Sequence, residues 1–139
     1  AYAASPMKHR AGLRVSSGSQ WEPIAGYSRA VRVRDTIHVS GTTATHGNNR
    51  CVAPGNAAAQ TTYILDKIAA SITAAGGRIE DVIRTRVFLR KEEDCEAVSR
   101  AHGRVFGAIM PANTLLVAGG LIGDYEVEIE AEALVEAKS

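Results

Sequence analysis

The stretch Tyr125-Glu-Val-Glu-Ile-Glu-Ala-Glu-Ala-Leu-Val135 decides the reading of the fold. Tyr125, Val127, Ile129, Ala131 and Ala133 alternate with Glu126, Glu128, Glu130 and Glu132. A period of two is that of a strand with one face buried and one face polar. The same period recurs in Ala30-Val-Arg-Val-Arg-Asp-Thr-Ile-His-Val-Ser-Gly41, which reads as two short strands hinged at Asp35-Thr36. Residues 83–89, Ile-Arg-Thr-Arg-Val-Phe-Leu, make another strand, and residues 113–117, Asn-Thr-Leu-Leu-Val, a further one. A short strand around Leu13–Val15 completes the set.

Two segments between the strands have helical periodicity. Ile64, Leu65, Ile68, Ala69 and Ile72 recur at spacings of three and four, with Asn56 as the N-cap and Gly76-Gly77 as the stop. The second helix follows Glu92-Glu93-Asp94, acidic residues that suit a positive helix N-terminus. Its stripe is Cys95, Val98, His102, Val105 and Phe106. The order β-β-α-β-α-β-β predicts an α+β fold in which two helices cover one face of a mixed sheet.

The other face is charged. Arg32 and Arg34 are expected to alternate on one strand, Arg84 and Arg86 on another, and four glutamates on the last. Exposed pairs of this kind contribute ~0–1 kcal/mol each. Buried against other subunits, the same arginines would instead form specific forks with carboxylates.

Composition bounds the rest. The chain has 139 residues, enough for one domain and too few for two of ordinary size. Residues 1–10 read as a disordered or tag-derived tail, with Met7 as the natural start, and residues 11–139 as the single domain. The 16 basic and 15 acidic residues leave a net charge of +1, so no clustered basic surface for nucleic acid is expected. No apolar stretch approaches the ~20 residues that span a bilayer, and the first residues lack the apolar segment of a secretory signal. A cytoplasmic protein with two reduced thiols, Cys51 and Cys95, is the expectation. Neither cysteine has metal-ligand spacing, so no metal and no cofactor are expected. Cys51 lies beside Arg50 with no base partner in view, and His102 sits on an apolar stripe, where a satisfied packing role is the ordinary one. Gly119-Gly120 reads as a connection, not as a phosphate cradle.

Five pieces in this order carry a family resemblance: Ile-His-Val-Ser-Gly-Thr (37–42), residues 58–68, residues 74–89, Pro-Ala-Asn-Thr (111–114) and residues 127–133. Together they resemble the RidA/YjgF family, also called L-PSP, over roughly residues 27–135. The resemblance implies a chorismate-mutase-like fold and a homotrimer with small-molecule clefts between neighbouring subunits. It also implies hydrolysis of reactive imines or enamines, such as 2-iminobutanoate, to a keto acid and ammonia. Carried over position by position, the residue that holds the attacking water falls on Glu128. The substrate-lining positions fall on Tyr27, Ser40, Gly41, Ala112, Asn113 and Thr114.

Two positions depart from the pattern. The family's carboxylate-binding arginine, in Pro-Ala-Arg-Ser, is Asn113 here, and an asparagine common early in the second helix is Ser99. The loop before Pro111 is also shorter. The stretch Ser17–Val33, with Trp21 and Glu22, resembles a subgroup that lacks the arginine. Asparagine is neutral and short, and it also caps turns readily. The expectation is therefore weak activity on 2-iminobutanoate and a ligand that is neutral or otherwise anchored, with Arg32, Arg84 or groups beside Trp21 as alternative anchors. Three functions stay open: an imine or enamine deaminase-type hydrolase of altered specificity, a non-catalytic trimeric small-molecule binder, and an endoribonuclease or translation inhibitor. The balanced charge and the aromatic content of 5% argue against the last, since RNA binding needs cationic surface and stacking platforms.

Overall fold

The structure is a computed structural model and describes residues 12–47 and 49–136; the expected tail over 1–10 lies outside them. Strands β1 (Leu13–Val15), β2 (Ala30–Val33), β3 (Thr36–Thr42), β6 (Val82–Leu89), β7 (Ala112–Val117) and β8 (Val127–Leu134) form one sheet in the order β1-β2-β3-β8-β6-β7. Only β6 and β7 pair in parallel, so the sheet is mixed. The parallel pair needs a crossover, and helix α3 (Cys95–Phe106) supplies it. Helix α2 (Ala57–Ala74) joins the halves of the sheet and packs on β3, β8 and α3. A small β4–β5 hairpin (Thr45–His46, Arg50–Cys51) lies outside the main sheet.

The alternation of β8 holds from Val127 to Ala133, but Glu126, expected on the charged face, precedes the strand and is buried, its backbone N–H donating to Gln60 Oε1 at 2.9 Å. Val127, Ile129, Ala131 and Ala133 are buried under the helices, while Glu128, Glu130 and Glu132 are half-exposed on the opposite face. From α2, Ile64, Leu65, Ile68 and Ile72 complete this core, with Val98 and Phe106 from α3. Asn56 caps α2 by accepting from the Ala59 N–H at 3.0 Å, and Gly76, at φ 88°, takes the left-handed turn beyond its end.

Three details differ from the sequence reading. Arg34 does not alternate with Arg32 on a strand; it stands in the β2–β3 turn at φ 55°. Arg32 turns back, donating to the carbonyls of Arg34 at 2.8 Å and Ala75 at 2.9 Å. Cys95 is exposed instead of joining the α3 stripe, because it opens the helix beyond the edge of the core. A short helix α1 (Trp21–Ala25), within a stretch too brief to show periodicity, contains a buried Glu22.

Candidate functional site

The site begins at an irregularity in β3. Val39 pairs with Ala131 and Thr42 with Ile129, so three steps along β3 match two along β8. Such a bulge re-aims local groups. Here it brings Gly41 against the carboxylate of Glu128: a Cβ added at Gly41 would stand 2.4 Å from Glu128 Oε2. Only a glycine leaves the carboxylate that position.

Gly41 and Glu128 open into a cleft of about 740 Å³. It is lined by the segment from Ser17 to Trp21, by Tyr27 and Arg29, and by Lys67, Tyr63, Ile122 and Tyr125. Trp21 is 52% and Ile122 92% exposed, so the mouth of the cleft is apolar. Buried Glu22 holds the Ser17–Trp21 wall by accepting from the hydroxyls of Ser16, at 2.9 Å, and of Ser17. Burial pushes its carboxyl pKa up, but the hydrogen bonds from Ser17 and Ser16 and the nearby charge of Arg29 outweigh it and leave the pKa below the ordinary value. Glu128 goes the other way. Burial raises its pKa and outweighs the opposing effect of Arg29, with Glu130 adding to the rise.

Hydroxyls organise the lining around Thr45 and Tyr125. Thr45 donates to Tyr125 Oη at 2.6 Å, and Thr43 and Thr45 share a contact of 2.8 Å. Lys67 reaches across from α2 to the carbonyls of Thr43 and Thr45, at 3.1 and 3.0 Å. Desolvation, then the charge of Arg29, lowers its pKa.

Of the positions expected to form the site, the structure brings Tyr27, Gly41 and Glu128 into this cleft. Ser40 turns to the neighbouring open face, its hydroxyl donating to Ser28 O at 2.7 Å. Ala112, Asn113 and Thr114 lie on β7, at the sheet edge and separated from β8 by β6. Asn113 is exposed but engaged: its Nδ2 donates to Thr85 Oγ1 at 2.9 Å. Thr85 in turn bonds His102 Nε2 at 2.9 Å. Because Thr85 accepts from Asn113, its own proton is free for His102, which makes Nε2 the acceptor and Nδ1 the protonated nitrogen. Burial lowers the His102 pKa, in keeping with a neutral ring. Among the described residues, no group of three or more His, Cys, Asp or Glu is placed to hold a metal.

Arg29 and Lys67 escaped the sequence reading, which looked for cations on strand faces. One signal was available for each. Arg29 follows Tyr27 by two in an extended segment, and Lys67 borders the apolar stripe of α2.

The profile of the family described as Endoribonuclease L-PSP matches residues 17–135. The chain belongs to the L-PSP family. An uncharacterized protein from Streptomyces coelicolor is 41% identical over 128 residues, covering 90% of this chain and 95% of that one. The 3-aminoacrylate deaminase RutC of Acinetobacter baylyi is 33% identical over 113 residues, 81% of this chain and 90% of its own. Among solved structures, a Mycobacterium tuberculosis member of the YjgF/YER057c/UK114 family is similar with a TM-score of 0.81 and 36% identity, over 90% of this chain and all (100%) of that one. The L-PSP fold thus agrees with the mixed sheet and helices described above.

Proposed function

We propose that this L-PSP protein hydrolyses a small reactive imine or enamine in the Gly41–Glu128 cleft. The observation that carries the reading is the half-buried Glu128 carboxylate, seated against a glycine that leaves it room, with Tyr27 in the same cleft. With the substrate as its imine tautomer, the carboxylate accepts a proton as water oxygen attacks the C=N carbon and passes it to nitrogen, giving a carbinolamine. Transfer of the hydroxyl proton to nitrogen by the same group then forms the C=O bond as the C–N bond breaks and ammonia leaves. The reaction needs Glu128 ionised, so its raised pKa moves the acid limb of the rate profile above the ordinary carboxylate range. The relative named as a 3-aminoacrylate deaminase supports this class of chemistry. The clefts are proposed to lie between subunits of a homotrimer, which would shelter the exposed Trp21 and Ile122 at the mouth.

The test is ammonia release from 2-iminobutanoate and 3-aminoacrylate generated in place. The natural protein is expected to exceed spontaneous hydrolysis, Glu128→Ala to fall at least about a hundredfold, the lower end of what a lost acid–base group costs, and Glu132→Ala to stay active. Glu132 is paired with Arg86 at 3.0 Å on the open face, outside the cleft. Equal behaviour of the two variants would reduce Glu128 to part of the charged face. Ligand binding without ammonia release would instead favour a non-catalytic binder.

A further inference from the structure

Arg29 is an anomaly within the cleft. It is only 8% exposed, yet among the described residues no carboxylate lies within ion-pair distance of it. Its guanidinium makes one hydrogen bond, from Nη2 to Gly41 O at 2.6 Å, and its Nε is buried with no partner. Tyr27 lies 5.7 Å from the guanidinium carbon and offers the charge a ring face, while the carboxylates of Glu22 and Glu128 feel that charge only from beyond ion-pair distance. A buried cation with no directly bonded carboxylate is costly. Lys67 lines the same cleft, and its ammonium meets only two backbone carbonyls and the ring of Tyr63 at 6.0 Å. Arg32, by contrast, is spent on Arg34 O and Ala75 O. Asn113 is spent on Thr85.

We propose that Arg29 and Lys67 form the anion anchor of the cleft and that its ligand carries a carboxylate. A single negative charge fits better than a phosphate, because Glu128 and Asp124 line the same space and would repel a dianion. The guanidinium and ammonium would then supply charge-assisted bonds to the ligand, leaving Glu128 in the same cleft to act on the carbon that is attacked. This rests on the reading of the cleft as the ligand site, and it replaces the neutral ligand that Asn113 alone would suggest.

The experiment titrates the full-length protein by calorimetry with 2-oxobutanoate and with the uncharged 2-oxobutanamide. The natural protein is expected to bind the carboxylate at least about tenfold more tightly than the amide, the scale of one charge-assisted contact. Arg29→Gln and Lys67→Gln should each remove most of that preference and leave amide binding in place. Arg100→Gln, on the exposed outer surface of α3, should leave the preference intact. Should Arg29→Gln fail to fold, Lys67→Gln and the ligand preference of the natural protein still decide. Equal binding of both probes, or a preference that survives in Lys67→Gln and in a folded Arg29→Gln, overturns the anchor and leaves the cleft as the site. Binding of neither probe overturns the cleft reading and the anchor with it.

Discussion

At the scale of the residue, Gly41 makes a demand that no other side chain satisfies. The atom that a new methyl group would strike is Glu128 Oε2, the far end of a flexible side chain, not backbone. Gly41→Ala is therefore expected to move the carboxylate and spare the fold. The predicted result is a loss of imine hydrolysis approaching that of Glu128→Ala, with the denaturation midpoint nearly unchanged. Parallel ammonia-release and urea-unfolding measurements check it, and full activity in Gly41→Ala would mean that the carboxylate needs no fixed position. Asn113 shows the limit of residue-level reading. Its neutrality and short reach follow from its identity, but its engagement with Thr85 does not.

At the scale of the element, Thr85 ties three pieces together. It stands on β6, accepts from Asn113 on β7 and bonds His102 on α3, and it is fully buried. This is the crossover that the parallel β6–β7 pair requires, and the hydroxyl is the polar link through it. Thr85→Val keeps the shape and deletes the oxygen, leaving the half-buried His102 Nε2 without a partner. The expected cost is about 1–3 kcal/mol, the penalty for stranding a buried polar group. Chemical denaturation measures it, while binding of 2-oxobutanoate should be unaffected because the three residues lie outside the cleft. A variant as stable as the natural protein would show that water replaces the hydroxyl freely.

At the scale of the whole molecule, the open face of the sheet argues for self-association. Arg86 spans Glu130 and Glu132, at 3.1 and 3.0 Å, in the middle of that face. Leu116 on β7, paired with Phe88, remains exposed, as do Ile83 at the irregular start of β6 and Met110 just before β7. A lone subunit would leave this mixture of forks and aliphatic side chains wet. A homotrimer is predicted, and sedimentation equilibrium at micromolar concentration tests it; a monomer there would remove the shared cleft while leaving the chemistry of Glu128 to be judged separately.

Local pattern determined the elements. The alternation of 125–135, the α2 stripe and the Asn56 cap act over a few residues, and the core of β8 and α2 followed them. Family spacing brought Tyr27, Gly41 and Glu128 forward as candidates. What the chain does with its cations was decided only in three dimensions. Arg32 and Arg29 stand three residues apart, yet one returns to the end of α2 and the other is buried beside a bulge made by β3 and β8. Lys67 reaches the same cleft from a helix thirty-eight positions beyond Arg29. Whether a charge is paired, and with what, depends on groups distant in sequence that meet only when the sheet and helices close. Periodicity tells which face a residue occupies; it does not tell what waits there.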